Sequence, residues 1–202
     1  MRYLLVILCA YAIGSSSMSF YLSKLNGVEL RDKGSKNLGA SNAMILMGWK
    51  AGILVGLHDI GKAIIAVLAA NYVFPDLPYA GVIAGVASVL GHIFPFYLKF
   101  KGGKGFASFI GMVLALNWKY ALVMLVLIVL VTLITDYIVS GTITAVLLSP
   151  IYFGVAEQNI IFPCIIFIAT AVILYKHREN FVRMYKGTEI GFRSANRGEH
   201  RV

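Results

Sequence analysis

Three polar stretches in an otherwise apolar chain hold the residue types that could do chemistry. The first, GVELRDKGSKNLGASNA at 27–43, sets Gly34 and Gly39 among Ser35, Asn37, Ser41 and Asn42. Glycine lets backbone N–H groups converge into a concave nest, and hydroxyl and amide side chains add neutral donors beside Arg31, Lys33 and Lys36. That pattern suits a phosphate or an oxyanion; it also suits a turn-rich connector capped by Ser and Asn. The second stretch, GHIFPFYLKFKGGKGFA at 91–107, runs Gly102-Gly103-Lys104-Gly105 straight into an apolar segment. Backbone N–H groups at a helix N-terminus attract anions, and Lys104 adds a full charge. It is not a P-loop, because the G-x-x-x-x-G-K-[ST] spacing is absent. His92 ends the preceding apolar segment, while Lys99 and Lys101 read as headgroup anchors. The third stretch is KHRENFVRMYKGTE at 176–189. On a continuing helix His177, Asn180 and Met184 share one face, where a histidine and an amide could orient a hydroxyl nucleophile. Glu189 is expected to pair with an arginine and hold the fold, and Arg178 and Arg183 to meet anionic lipid.

A fourth group lies inside an apolar run. His58, Asp59 and Lys62 sit where a charge costs about 3 kcal/mol on insertion scales. Asp59 and Lys62 are i, i+3 partners and can neutralise each other on one helix face, either at a functional site or as a buried support.

The elements that must position these residues are membrane helices. The chain has 202 residues, 59% hydrophobic and 13% charged. A soluble domain is about half apolar and about a quarter charged, so lipid is the natural solvent here. Seven apolar segments can be drawn, at 3–22, 44–70, 79–98, 106–117, 118–135, 138–156 and 159–175. The reading is an all-α, polytopic transmembrane bundle of seven spans. Five is the alternative count, because 106–117 is short and either forms a half-span or joins 118–135. Stretches 23–43, 99–105 and 176–202 hold 14 of the 18 lysines and arginines. The positive-inside rule therefore puts them in the cytoplasm, with the N-terminus outside and the C-terminus cytoplasmic. The net charge of +9 thus reports topology and anionic lipid, not nucleic acid. Arg2, the apolar run after it and Ala10-Tyr11-Ala12 resemble a signal peptide, but apolar character resumes to Leu22 and suits an uncleaved first span. Cys9 and Cys164 lie in apolar segments and support neither a disulfide framework nor a metal site. One domain over 1–193 is expected, followed by a polar basic tail at 194–202.

Together the three loops resemble the PlsY family of acyl-phosphate:glycerol-3-phosphate acyltransferases. The matching strings are GSKNLGASN (34–42), GHIFP with FKGGKG (91–95 and 100–105) and HRENFVRMYKGTE (177–189). The similarity runs over about residues 10–190. It implies a seven-helix membrane fold with a cytoplasmic-face active site shared by all three loops, and no metal or cofactor. Carried over by motif, Ser35 and Asn37 fall in the catalytic loop. Gly102, Gly103 and Lys104 fall at a substrate phosphate with His92 nearby, His177 and Asn180 at the glycerol phosphate, and Ser140 near a phosphate site. Lys104, His177 and Asn180 join Ser35 and Asn37 as the implied catalytic set. The implied partners are acyl phosphate, glycerol 3-phosphate, membrane lipid and an enzyme that produces acyl phosphate; the implied location is the bacterial cytoplasmic membrane. The implied reaction yields 1-acyl-glycerol 3-phosphate and phosphate, the first step of phospholipid synthesis. The chain departs from the family at Ile45, where the pattern carries an arginine that contacts substrate phosphate. That departure leaves a non-catalytic or retasked paralogue as one alternative. The buried Asp59 and Lys62 leave a small transporter as another. A different acyltransferase class is disfavoured, because no H-x-x-x-x-D string occurs.

Overall fold

A computed structural model describes residues 1–193; the expected tail at 194–202 lies outside the described residues. Among the described residues every regular element is helical. They fall into two compact units, Met1–Asn117 and a second that begins at Trp118.

The first unit comprises α1 (Arg2–Ser15), α2 (Met18–Asn26), α3 (Ala40–Met47), α4 (Trp49–Val73), α5 (Ala80–Ile93), a 3-10 turn at Phe96–Leu98 and α6 (Phe106–Leu116). Lipid tails are as apolar as leucine, so membrane helices associate through close packing of small residues. The α1–α5 contact follows that rule. A Cβ at Gly14 would overlap the Ser88 backbone, and one at Gly91 would overlap the Tyr11 carbonyl. Val6, Ala10, Ala66, Ala70, Ala80, Ala84 and Ala87 continue the seam across α1, α4 and α5. Likewise Gly111 of α6 meets the Ile60 carbonyl of α4. At the far end of α1, Arg2 pairs with Asp76 at 2.8 Å and holds its carboxyl below the usual carboxylate range, chiefly through that hydrogen bond.

Two helix breaks in this unit bear on the site. Between α1 and α2, Ser17 caps α2 by accepting from the Phe20 N–H at 3.3 Å. The interruption leaves the Ser16 carbonyl to the Lys62 ammonium, at 2.7 Å. The second break corrects the single apolar segment expected at 44–70. Gly48 adopts φ +86, a left-handed conformation that glycine tolerates, and the chain reverses there. The short α3 then lies back along α4, with Ala40 and Met44 against Gly52 and Ala40 against Gly56.

In the second unit stand α7 (Trp118–Thr135), α8 (Ile138–Ala156), α9 (Ile161–Lys176) and α10 (Arg178–Tyr185). Leu122, Val123, Leu125, Val126, Val129, Leu130 and Leu133 of α7 are exposed, as a lipid-facing surface requires. Between α7 and α8, Tyr120 stacks on Tyr152 with ring centroids 3.8 Å apart, and Phe153 closes on both edges. Pro150 inside α8 has no N–H, so the Val146 carbonyl one turn earlier loses its helical donor. The buried Thr170 hydroxyl of α9 donates to that carbonyl instead, at 3.2 Å. A backbone group orphaned in lipid costs several kcal/mol, and such a substitute donor is how membrane helices tolerate proline.

Among the described residues five helices are long and apolar enough to cross a membrane: Arg2–Asn26 (α1 with α2), Trp49–Val73, Ala80–Leu98, Trp118–Thr135 and Ile138–Ala156. Ile161–Lys176 and Arg178–Tyr185, bent by 46°, make a sixth when taken as one broken span. The segment expected at 106–117 is an 11-residue helix, about 17 Å long against a hydrocarbon core of about 30 Å. It does not join 118–135 as one helix, because Asn117 is extended and ends α6.

The Pro150–Thr170 arrangement predicts a non-additive pair. Thr170→Val should cost about 1–3 kcal/mol in the native background, the penalty of an unsatisfied buried carbonyl. With Pro150→Ala the helix regains its own N–H donor, and the same Thr170→Val should then cost under about 0.5 kcal/mol beyond shape changes. Reversible unfolding in micelles measures both; an equal cost in the two backgrounds contradicts the assignment.

Candidate active site

In the first loop, residues 27–39, the organising group is Asn42, which is fully buried on α3. Its Oδ1 accepts from the Ser35 N–H at 2.9 Å, and its Nδ2 donates to the Leu30 and Lys33 carbonyls at 2.8 and 3.2 Å. One side chain thus fixes three loop backbone groups. Gly34 at φ +60 passes so close to Asn42 Oδ1 that a Cβ there would overlap it. Leu30 and Leu38 pin the loop into an apolar cluster with Ala43, Val55 and Leu98, and Leu98 belongs to the second loop. Ser35 is exposed and Asn37 half-buried on the resulting surface. Ile45 is exposed on α3.

The second loop reverses through Lys99 and Phe100, both with positive φ. The Gly102 N–H donates to the Ile93 carbonyl at 3.0 Å and the Gly103 N–H to the His92 carbonyl at 3.2 Å. Both amides are therefore bound internally. The glycines are needed for a steric reason. A Cβ on Gly102 would overlap the His92 carbonyl, and one on Gly103 would overlap His92 Nε2 and approach the Leu38 carbonyl. The loop is therefore laid flat on the end of α5, beside the first loop. Gly105 at φ +93 then starts α6, and Lys104, half-buried, stands at that helix N-terminus.

Beneath the loops lies a buried ionic cluster. Asp59, Lys62 and His92 are 2, 5 and 7% exposed. Lys62 Nζ is 2.8 Å from Asp59 Oδ1, the i, i+3 pair expected from the sequence. Lys62 Nζ also lies 2.9 Å from His92 Nδ1, and His92 Nδ1 lies 3.3 Å from Asp59 Oδ1. So His92 has a carboxylate and an ammonium at one ring nitrogen and Gly103 at the other. No spacing rule links residues 33 positions apart; only the adjacency of α4 and α5 does.

In the second unit the chain does not continue as one helix past His177. His177 ends α9 and begins α10 at the 46° bend. His177 and Asn180 are nonetheless both buried, with Met184 half-buried beyond them. His177 Nδ1 is 2.8 Å from the Ile173 carbonyl, which can only accept, so Nδ1 carries the hydrogen. Asn180 Nδ2 donates to Glu189 Oε1 at 2.8 Å, and Arg183 Nε donates to Glu189 Oε2 at 2.7 Å. Glu189 therefore holds the fold, as expected, and Arg183 serves this pair where a lipid anchor was expected. The KGTE string explains how Glu189 returns. Gly187 is left-handed at φ +67, its N–H bonds the Met184 carbonyl, and the Thr188 N–H bonds the Arg183 carbonyl at 2.8 Å. That is a Schellman ending, and it folds the chain back onto α10. Arg178 lies over the Tyr175 ring at 4.3 Å. Ser140 is half-buried in the first turn of α8, after the Asp136 turn. There the Asp136 carbonyl and carboxylate accept the Phe192 and Arg193 N–H groups at 2.7 and 2.9 Å.

Comparison with known proteins adds the following. Residues 4–187 match the family model described as glycerol-3-phosphate acyltransferase. A glycerol-3-phosphate acyltransferase of Prochlorococcus marinus is 37% identical over 92% of this chain and 95% of its own. Two crystal structures are similar, both of PlsY (YgiH), an integral membrane glycerol 3-phosphate acyltransferase. The glycerol 3-phosphate form has TM-score 0.89 and 34% identity over 97% of this chain and 98% of that one. The lysophosphatidic acid form has TM-score 0.85 and 33% identity over 95% of each.

Asn42, grouped by sequence with the neutral donors of the first loop, instead spends its amide on that loop's own backbone. Its geometry predicts that Asn42→Ala releases the loop, with the loss of buried hydrogen bonds worth about 1–3 kcal/mol. Amide exchange at Ser35 should quicken on the order of 10–100-fold while protection within α8 is unchanged. Unchanged exchange at Ser35 contradicts that role.

Proposed function

Because this chain belongs to the glycerol-3-phosphate acyltransferase family, we propose that it transfers an acyl group from acyl phosphate to the C1 hydroxyl of glycerol 3-phosphate. The products are 1-acyl-glycerol 3-phosphate and inorganic phosphate. The observation that carries the reading is the pair of similar PlsY structures, one with glycerol 3-phosphate and one with lysophosphatidic acid, its acylated counterpart. An acyl phosphate is already activated. The hydroxyl oxygen attacks the acyl carbon, the bond to the phosphate oxygen breaks, and the hydroxyl proton leaves with the phosphate. No residue need become acylated. The protein's task is to position and to stabilise charge, each worth several kcal/mol.

The residues divide by what they offer. Lys104, at the N-terminus of α6, and His92 hold the phosphate of the acyl donor. Gly102 and Gly103, which have no Cβ to overlap His92, bring the loop backbone down beside that phosphate. Ser35 and Asn37, on a loop fixed from below by Asn42, supply neutral donors to the reacting group. His177 and Asn180, braced by the Ile173 carbonyl and Glu189, bind the glycerol phosphate, and Ser140 a phosphate oxygen. The sn-1 hydroxyl is the nucleophile, and no metal or cofactor takes part.

Charge supports seven crossings. The basic stretches at 99–105 and 176–193 share a side only if an even number of crossings separates them. The elements between them, α7, α8 and α9, make three, with α10 inside the second basic stretch. The short α6 supplies the fourth, as a short helix within protein. The N-terminus then lies outside, and the three basic stretches face the cytoplasm of a bacterial cell. There they meet water-soluble glycerol 3-phosphate, while the acyl chain, delivered by an enzyme that forms acyl phosphate, remains in lipid.

Ile45 favours one second reading, a retasked paralogue, and the same assay decides between them. Purified protein in lipid should convert palmitoyl phosphate and glycerol 3-phosphate into equal amounts of lysophosphatidic acid and phosphate, and should ignore palmitoyl-CoA. Lys104→Ala should lower kcat/KM on the order of 100–1,000-fold, the usual loss for one preorganised donor. Turnover gained only with Ile45→Arg marks a retasked paralogue. No turnover by either protein, both folded, contradicts the proposed reaction.

A further inference from the structure

The geometry around Lys62 fixes more than a salt bridge. A lysine ammonium has three hydrogens and accepts none. Three acceptors lie within reach: the Ser16 carbonyl at 2.7 Å, Asp59 Oδ1 at 2.8 Å and His92 Nδ1 at 2.9 Å. Each comes from a different element: the α1–α2 break, α4 itself and α5. The third assignment settles the imidazole. A ring nitrogen that accepts from an ammonium carries no hydrogen, and a neutral ring then carries its hydrogen on Nε2. The opposite tautomer would point an Nδ1–H at Asp59 over the longer distance of 3.3 Å and set it against the ammonium at 2.9 Å.

The other groups facing the cluster fit this pattern. His58 Nδ1 is 3.5 Å from Asp59 Oδ1, and its Nε2 is 3.0 Å from the Ser16 hydroxyl, which also meets the Tyr21 hydroxyl at 3.3 Å. Asp59 thus receives Lys62 and His58 and does not depend on His92 for a donor. On the other side of the ring, Nε2 lies against Gly103, where a methyl group would overlap it.

We infer that the Asp59–Lys62 pair is a positioning device that locks His92 in its Nε2–H form, making it an obligate hydrogen-bond donor toward an anionic oxygen held beside Gly103 and Lys104. His92 is then a donor to the phosphate and cannot serve as the base that takes the hydroxyl proton. The last step rests on the reading of that loop as a substrate-phosphate site; the tautomer itself does not. Lys62 and Asp59 touch no substrate and act through His92. Without Lys62 the Nδ1 edge keeps only Asp59, an acceptor, so the ring must reverse: Nδ1 gains the hydrogen and Nε2 loses it.

The test is nitrogen NMR of protein in lipid nanodiscs, labelled with 15N-histidine and free of substrate, with the His92 signals assigned by their loss in His92→Gln. Wild type should show an unprotonated Nδ1 and a protonated Nε2, and Lys62→Met should exchange the two. In kinetics, Lys62→Met should raise KM for acyl phosphate at least tenfold, with a smaller fall in kcat. The wild-type spectrum needs no variant to fold: a protonated Nδ1 there overturns the inference outright. The same tautomer in folded wild type and Lys62→Met overturns the role of Lys62. An Nε2–H ring in a protein that does not turn over acyl phosphate leaves the lock standing and defeats the functional reading instead.

Discussion

A lysine ammonium placed among membrane helices must find partners for every hydrogen, since no water is there to supply them. Lys62 meets that demand by drawing three elements together. The carbonyl that it takes from Ser16 exists only because α1 breaks before Ser17. The carboxylate is one turn away on its own helix, and the imidazole is on α5. Once His92 is fixed, so is the end of α5, and the Gly102 and Gly103 amides bond the carbonyls of Ile93 and His92. The position of Lys104 at the start of α6 follows from that backbone. A buried ion pair is weak evidence for stability, but one that fixes a register can define a site.

The same constraint accounts for the other irregularities. At three irregular places a specific group bonds what the backbone leaves open. Thr170 stands in for the N–H that Pro150 lacks. Asn42 takes the amide and carbonyls of the first loop. At Gly187 the chain bonds its own last carbonyls and returns Glu189 to Asn180. Fixed loops suit an acyltransferase, where placement of the reacting groups supplies much of the rate.

Much of this was legible in the sequence. Long apolar runs give helices because lipid leaves the backbone no other way to bond, and the i, i+3 spacing of Asp59 and Lys62 gave their pair. The loop strings gave the family. What escaped depended on contacts distant in sequence. The reversal at Gly48 is invisible when both flanks are apolar, since composition does not distinguish a hairpin from one long span. The amides of Gly102 and Gly103 bond carbonyls about ten residues back on α5, a pairing that no local spacing shows. His92 had no carboxylate in its motif, and Asp59 reaches it only through packing of α4 on α5. The break at His177 also left no mark, because helical spacing holds on either side of a 46° bend.

In the proposed reaction the protein positions an activated acyl group for direct transfer. The sharpest measurement is rapid quench of the protein with acyl phosphate alone, read by phosphate release and by intact-protein mass, followed by a chase of glycerol 3-phosphate. Direct transfer predicts no stoichiometric burst of phosphate and no acylated protein before the chase, with phosphate and lysophosphatidic acid appearing together after it. One equivalent of phosphate released at once, with the protein heavier by one acyl group, would show a covalent intermediate and contradict the account.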